Sequence, residues 1–323
     1  MKDILLARGA RKLVESNGRV KPGERVLVIT DYSMLPIAQP VVAAATACGA
    51  EVVTCVMPPR EKDGQEPPGT VAAAMKEADV FFSAVRYSIT HTKATRAALE
   101  SGARGIMMTQ YNEDVMMSPA LIETDFEAQA ALCDRYGQAL TDGDHIRITS
   151  SKGTDLSFSI KGRIANVLSG IPEPGNLAPV PTIEVNVVPV HGNSQGTAVI
   201  DASIPYIGIG ILKEPVICTI KDGYITRIEG GEQAKMLEDN LKSHGDRNCF
   251  HHAEFGIGLN PNARLTGVML EDEGVIGTVH LGIGTSFTLG GEIVAPLHYD
   301  LLIWNTTIEI DGKIVQKEKE ILI

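Results

Sequence analysis

The sequence predicts a protein of two domains, an N-terminal doubly wound α/β domain and a C-terminal, mainly antiparallel α+β domain that carries a metal site. In the first part, continuous apolar runs alternate with helical patterns, which is typical of a parallel sheet covered on both faces. After Thr141-Asp142-Gly143-Asp144 the sequence changes to short alternating strands punctuated by Gly and Pro. We therefore expect one boundary, with domains at residues 1–141 and 142–323.

The elements of the first domain follow from hydrophobic periodicity. Helices are predicted over 3–16, 38–48, 69–77, 92–101 and 124–140, and strands over 25–30, 51–57, 80–84 and 105–109. None of these strands leads into GxGxxG or a Walker A loop, and the loop 31–36 has no glycine to admit a phosphate. This domain is expected to support the protein and to form a dimer interface, and not to bind a dinucleotide.

The elements of the second domain are short and rich in alternating apolar residues. Strands are predicted over 145–149, 156–160, 196–201, 215–220, 223–228, 276–283 and 301–310, with one helix near 231–243. This pattern predicts a mainly antiparallel β or α+β domain.

Composition limits the classes of partner. The chain has 323 residues, 44% of them hydrophobic, and a formal net charge of −11. This acidity argues against a nucleic acid or an anionic membrane surface and favours a small molecule or peptide. The five cysteines have no CxxC spacing, and neither a signal peptide nor a membrane span is apparent. We expect a cytoplasmic protein.

Ionisable side chains are concentrated between residues 251 and 300. His298 and Asp300 are two residues apart on a predicted strand, so both side chains can face one ion. The surrounding residues are apolar, and burying both groups is costly unless each is satisfied. A metal ion would satisfy both, although Asp300 orienting His298 is the simpler alternative.

Two further residues lie in apolar, glycine-bearing segments. Glu254 precedes Phe255-Gly256-Ile257-Gly258, and His280 is followed by Leu281-Gly282-Ile283-Gly284. Each could face solvent on a half-exposed strand. Together with His298 and Asp300 they suggest a converging site.

Three other places in the sequence contain side chains of the kind that bind metals. Glu271-Asp272-Glu273 is usually an exposed turn but could supply one carboxylate, and Glu184 in a proline-rich loop or edge strand reads as a surface residue. His251 and His252 face opposite ways on a strand, so only one could join Glu254, and a gating or supporting role is favoured. The other histidines, His91, His145, His191 and His244, read as structural or surface residues.

These residues resemble the aminopeptidase T, or leucyl-aminopeptidase-like thermophilic, metallopeptidases. Pro181-Thr182-Ile183-Glu184-Val185 is similar to the family's Pro-Thr-Gly-Glu-Val motif. Similar motifs are Ala253-Glu254-Phe255-Gly256, Leu270-Glu271-Asp272-Glu273 leading into His280-Leu281-Gly282, and His298-Tyr299-Asp300.

The resemblance implies a cytoplasmic homodimer with two metal ions, Zn, Co, Mn or Mg, that activate water to cleave an amino-terminal peptide bond or small amide. Glu254 or Glu273 would act as bridging ligand or general base. The implied ligands are Glu184, Glu254, Glu273, His280, His298 and Asp300.

The chain departs from that family in its length, which is expected to be much shorter than that of a typical member, and in two of its motifs. Phe287 stands where the family carries a catalytic Tyr, so Ser286 or Tyr299 would have to supply the hydroxyl. The spacing from Glu273 to His280 is two residues longer than in the family, which leaves Glu271 as an alternative ligand.

A relative of the same fold gives the second hypothesis. The chain is similar to 2,5-dihydroxypyridine 5,6-dioxygenase in Gly256-x-Gly258-Leu259-x-Pro261-x-Ala263, Gly290-Gly291 and His298-x-Asp300. That enzyme has His where this chain has Glu254 and lacks counterparts of Glu184 and His280. This resemblance implies one Fe(II) ion that cleaves a ring, bound by His298, Asp300 and either His280 or Glu254. A third hypothesis is a binding protein with a vestigial site.

Overall fold

The computed structural model describes residues 2–323. Its α-helices are α1 (Lys2–Arg11), α2 (Leu35–Ala47), α3 (Gly69–Glu77), α4 (Lys93–Glu100), α5 (Glu113–Met116), α6 (Pro119–Ile122), α7 (Phe126–Asp142), α8 (Glu232–Ser243) and α9 (Met269–Asp272). A π-helical segment spans Lys12–Asn17, and 3₁₀ turns span Arg247–Phe250 and Phe287–Leu289.

The strands occur throughout the chain. They are β1 (Arg25–Asp31), β2 (Glu51–Met57), β3 (Val80–Ala84), β4 (Arg104–Met107), β5 (His145–Ser150), β6 (Asp155–Ser159), β7 (Asn166–Leu168), β8 (Leu177–Pro179), β9 (Glu184–Val187), β10 (Gln195–Ile200), β11 (Ser203–Ile204), β12 (Gly210–Ile211), β13 (Val216–Lys221), β14 (Tyr224–Glu229), β15 (His252–Gly258), β16 (Thr278–Gly284), β17 (His298–Trp304), β18 (Thr306–Ile310), β19 (Lys313–Lys317) and β20 (Glu320–Ile321).

The first compact unit is a parallel α/β sheet. It comprises the chain up to Ala130 together with Leu168–Thr182. Its strands lie in the order β2-β1-β3-β4-β8, all parallel. Leu27, Ile29 and Phe81 contribute to its buried core. The predicted doubly wound sheet is confirmed.

The second compact unit is antiparallel and consists of Ala131–Val167 and Ile183–Ile323. One sheet has the order β14-β13-β10-β6-β5-β18-β19-β20, and a second has the order β17-β16-β15-β9-β7. Phe158 of the larger sheet packs against Phe255 of β15, with ring centroids 5.2 Å apart. One face of the smaller sheet is thus part of the core, which leaves its other face for the site.

Two boundaries differ from those expected. The units do not meet at a single cut after residue 141, because β8 pairs with β4 and returns the chain to the first sheet. The strand predicted over 301–310 is broken at Asn305, whose φ of 49° turns the chain from β17 into β18. As a result β17 and β18 belong to different sheets. Among the described residues, no helix is long and apolar enough to cross a membrane.

Candidate metal centre

Four neighbouring strands place the predicted ligands on one sheet face. Glu184 begins β9, Glu254 lies on β15, His280 on β16, and His298 and Asp300 on β17. The antiparallel pairs Glu184↔Gly258, His280↔Gly256 and Asp300↔Gly282 set the register. Because directly paired residues share a face, these side chains point the same way. β9 is an interior strand, so the expectation of a surface Glu184 is wrong.

Glycines opposite the ligands provide the space for their side chains. A Cβ atom on Gly256 would overlap Nε2 of His280. A Cβ atom on Gly282 would lie 2.6 Å from Cβ of Glu254 and 2.8 Å from Nε2 of His298. Because these two glycines have no side chain, the rings of His280 and His298 have room above the neighbouring strands.

Glu254 is the centre of the cluster. Its Oε2 lies 2.8 Å from Nε2 of His298, and its Oε1 lies 3.9 Å from Nε2 of His280. His280 Nε2 is also 3.6 Å from Oε2 of Glu184, and His298 Nε2 is 3.4 Å from Oδ1 of Asp300. Two groups with metal-ligand spacing therefore share Glu254: an inner group of Glu184, Glu254 and His280, and an outer group of Glu254, His298 and Asp300.

Several polar atoms in this cluster lack partners. Among the described residues, Glu184 Oε2, Asp300 Oδ1 and His280 Nδ1 are buried without a hydrogen bond. Leaving buried polar atoms unpaired costs about 1–3 kcal/mol each. A divalent cation in either ligand group would provide the missing partner for the carboxylate oxygen of that group, so the residues present fit a metal ion.

The orientation of His298 is set by the backbone. A carbonyl oxygen can only accept, so Nδ1 of His298 donates to the carbonyl of Thr285 at 2.8 Å. Its Nε2 then faces Glu254 and Asp300, which is the arrangement of a metal-ligating imidazole.

The carboxylates favour protons on both histidines. Although burial lowers it, the pKa of His298 is raised well above its usual value by Asp300 and Glu254. Against the same effect of burial, Glu184 and Glu254 raise the pKa of His280 to about 9. Burial raises the pKa of Glu184 to about 7, although His280 opposes it. A metal ion must therefore displace protons.

Glu273 lies just outside the two groups. It follows α9, and its Oε1 lies 3.3 Å from the hydroxyl of Tyr206. The same hydroxyl lies 2.5 Å from Oδ2 of Asp300. Burial and the neighbouring Asp300 raise the pKa of Glu273 well above its usual value. Five of the six predicted ligands thus converge directly, and Glu273 joins them through Tyr206 and Asp300.

The remaining acidic residues have structural contacts. Glu271 accepts a hydrogen bond from the backbone of Arg264 at 3.4 Å, and it belongs to neither ligand group. Asp272 accepts from Ser203 at 2.6 Å and from the backbone of Thr266 at 2.7 Å. Both carboxyls are buried, so the expectation of an exposed acidic turn is wrong.

The adjacent histidines lie outside both ligand groups. His252 packs edge-on against Phe158 and hydrogen-bonds Ser194 at 2.8 Å, on the core side of the sheet. His251 bonds the carbonyl of Gly284 and the ring of His191, each at 3.3 Å. His191, expected to be a structural or surface residue, therefore supports His251.

Two site residues were missed. Asn186 donates to Oε1 of Glu184 at 2.9 Å, and its position two residues along the same strand face was a usable signal. Tyr206 lies in a loop, and no sequence pattern connects it to Asp300. Phe287, at the position of the expected Tyr, is 59% exposed. Ser286 hydrogen-bonds the backbone of Ile293. Tyr206 thus brings a hydroxyl to Asp300.

The fold and the site define a class of protein with a parallel α/β unit and a metal-ligand cluster on a glycine-lined antiparallel sheet. The chain belongs to the 2,5-dihydroxypyridine 5,6-dioxygenase (NicX) family, whose profile matches residues 10–322.

One comparison of sequence and one comparison of fold agree with this assignment. The 2,5-dihydroxypyridine 5,6-dioxygenase of Pseudomonas putida is 28% identical over 155 residues, which is 44% of this chain and 44% of that protein. The solved structure of the dioxygenase from Pseudomonas putida KT2440 matches with a TM-score of 0.84 and 20% identity, covering 98% of this chain and 96% of that one.

A third comparison shows a shared fold. Wild-type AmpT from Thermus thermophilus matches with a TM-score of 0.72 and 14% identity over 100% of both chains. The family, however, is that of the dioxygenase. The expectation of a hydrolase, and specifically of an aminopeptidase or protease, is therefore wrong, and the second hypothesis agrees better with the family.

Proposed function

We propose that this protein is an iron-dependent dioxygenase that cleaves a small hydroxylated aromatic ring, with Fe(II) held by Glu254, His298 and Asp300. The observation that carries the proposal is the outer ligand group. Its His298 side chain is 25% exposed, whereas the side chains of Glu184 and His280 are almost completely buried. Of the two groups, the outer one therefore offers a substrate access to the ion.

The donor atoms suit this metal. One imidazole and two carboxylates are close to the set of two histidines and one carboxylate that holds Fe(II) in many oxygenases. Three protein ligands leave coordination positions open. The additional carboxylate gives the site more negative charge, which favours a divalent cation.

The roles of the residues follow from their contacts. Bound Fe(II) would supply the one-electron chemistry that allows dioxygen to react with a ring. Thr285 fixes the ring of His298, and Glu254 lies between the two histidines. Glu184 and His280 form a buried pair behind Glu254 that can hold a proton from the site.

The alternative to a site with one metal ion is a site with two. Glu254 presents one oxygen to each histidine, so it could bridge ions in the outer and inner groups. Such a centre would contain Zn, Co, Mn or Mg in one or both positions. Replacing Glu184 by Gln separates the cases, because it removes a ligand from the inner group alone.

The substrate class rests on the family. The relatives are named for 2,5-dihydroxypyridine, so the first compounds to test are dihydroxylated pyridines and benzenes.

Oxygen consumption tests the proposal. The protein is purified without oxygen and loaded with Fe(II). Oxygen uptake and loss of ring absorbance are then followed for each compound. We expect one dioxygen per ring cleaved, no turnover by His298→Ala, and full turnover by His145→Ala, which alters an exposed histidine on β5. Iron-loaded protein that consumes no oxygen with any of these rings would contradict the proposal.

The predicted homodimer belongs to the same proposal. The first unit was expected to provide a dimer interface, and light scattering on the purified protein measures the mass directly. A mass of one chain at micromolar concentration would refute a stable homodimer.

A further inference from the structure

We propose that Tyr206 is a positioning residue that fixes the orientation of the metal ligand Asp300. Its hydroxyl holds one carboxylate oxygen so that the other faces the ion. The inference rests on the metal site of the proposed function and is independent of ring cleavage.

The contacts of Asp300 divide its two oxygens. Oδ2 lies 2.5 Å from the hydroxyl of Tyr206, whereas Oδ1 lies 3.4 Å from Nε2 of His298. Among the described residues, Oδ1 has no hydrogen-bond donor. An ionised carboxylate only accepts, so the hydroxyl of Tyr206 donates to Oδ2. The remaining oxygen is directed at the outer ligand group.

The backbone around Tyr206 is anchored at several points. The residue lies in the loop that joins β11 to β12. Ser203 of β11 donates its hydroxyl to Asp272 at 2.6 Å, and the amide of Ala202 donates to the carbonyl of Leu302 on β17 at 3.2 Å. Within the loop, the amide of Ile209 donates to the carbonyl of Tyr206 at 3.0 Å. The hairpin is thus attached to the strand that carries Asp300.

The ring of Tyr206 is also held. It stacks on the ring of Tyr299, with centroids 4.8 Å apart and planes inclined by 24°. Tyr299 lies between the two ligands of β17, so this stacking links the loop to the ligand strand a second time. A hydroxyl on a ring fixed in this way is a preorganised donor.

Loss of the hydroxyl would free Asp300. Its side chain could then rotate, or bind the ion through both oxygens, and the coordination would change. Groups that orient metal ligands typically contribute about 10–100-fold to metal affinity or activity. A hydroxyl that merely stabilises the hairpin would instead affect thermal unfolding and leave the coordination unchanged.

The test uses Co(II) on the full-length protein without oxygen. Affinity is measured by competition with a chromophoric chelator, and the visible absorption of bound Co(II) reports the coordination. Tyr206→Phe keeps the ring and its stacking. Tyr224→Phe is the matched control, because its partly buried hydroxyl bonds Asn248 and not a ligand.

We expect Tyr206→Phe to bind Co(II) about 10–100-fold more weakly and with an altered absorption spectrum. The control should stay within about threefold of the wild type, well below that range. Wild-type affinity together with a wild-type spectrum in Tyr206→Phe would overturn the inference.

The Co(II) experiment has two other possible outcomes. If Tyr206→Phe does not fold, Ser203→Ala takes its place in the test, because it removes the hydrogen bond that anchors the hairpin to Asp272. We expect this variant to change the absorption spectrum of bound Co(II) in the same direction. An unchanged Co(II) spectrum would overturn the inference. If the wild-type protein binds no Co(II) or Fe(II), the metal site of the proposed function fails as well.

Discussion

The two units of the molecule contain buried carboxylates in opposite situations. In the first unit, Asp31 at the end of β1 accepts from the amide and hydroxyl of Ser33 at 2.9 and 2.6 Å, and from the amide of Arg86 at 2.7 Å. In the second unit, Glu184 and Asp300 each keep one buried oxygen that has no hydrogen-bond partner within residues 2–323. A buried carboxylate supplied with donors on both oxygens holds the fold together. One with an unpartnered oxygen can accept a cation, as proposed for Asp300, or a proton, as proposed for Glu184.

The strands around these carboxylates differ as well. β1 and β3 carry no glycine and bury large apolar side chains, as in Val26, Val28 and Phe82. β15 and β16 each carry glycines at alternate positions, on the face of the ligands. The first sheet is thus filled by side chains, whereas the second leaves room on one face for the site.

The largest effect is expected from Gly256→Ala. The added methyl group occupies the position of the His280 ring, so the ring must leave the cluster. Overpacking of this kind typically costs about 1–3 kcal/mol of unfolding free energy. We expect that loss, together with weaker metal binding, by denaturant unfolding and metal titration.

Gly69→Ala is the control for that substitution. A Cβ atom on Gly69 meets nothing within 4 Å, and the residue begins α3, where Ala is favourable. It should leave stability and metal binding unchanged. A Gly256→Ala variant that matched this control would contradict the tight placement of His280.

The next prediction compares the two aspartates. In Asp31→Asn, the side-chain NH₂ group replaces an oxygen that accepts a hydrogen bond from a backbone N–H group, so two donors face each other. We expect the free energy of unfolding to fall by about 1–3 kcal/mol and the metal content to stay unchanged. Asp300→Asn should show the reverse, with lost metal binding and a small change in stability. Elemental analysis and urea unfolding measure both. Metal loss in Asp31→Asn would remove the distinction between the two sites.

Glu184→Gln tests the electrostatic cost of the site. Burial raises the pKa of Glu184 from 4.5 to about 7, so the folded state binds more protons than the unfolded state between these values. The ionised group therefore destabilises the metal-free protein increasingly as pH rises through this range. We expect metal-free Glu184→Gln to be more stable than wild type by about 1–3 kcal/mol at pH 8, with no difference near pH 4.

Unfolding of the two metal-free proteins across pH measures this difference. A wild-type protein as stable as Glu184→Gln at pH 8 would show that His280 offsets the cost of the buried carboxylate completely.

The smallest effect is expected from Phe287→Tyr. The side chain is 59% exposed on a 3₁₀ turn, so a hydroxyl there faces solvent. Metal affinity should be unchanged, because surface substitutions away from special features have small effects. A gain of affinity or turnover would show that this position, and not Tyr206, brings the hydroxyl to the site.

Local patterns predicted much of the fold and most of the site. Apolar runs located β1 to β4, and alternation on strands placed His298 and Asp300 on one face. Glu184 needed the family resemblance, because its sequence neighbours give no sign that β9 is an interior strand.

The features that were missed depend on contacts between distant residues. Tyr206 reaches Asp300 across 94 positions of the sequence, and β8 joins β4 after the chain has already begun the second unit. Neither contact leaves a periodic pattern or a short motif in the sequence. The sequence also led to the wrong prediction of a hydrolase instead of a dioxygenase. The two families share a fold, and function depends on the details of the site.

The metal content of protein purified without oxygen tests the central claim most directly. We predict one iron ion per chain in the wild type and in Glu184→Gln, and none in His298→Ala. Protein that binds no divalent ion under these conditions, or His298→Ala with the metal content of the wild type, would contradict the account.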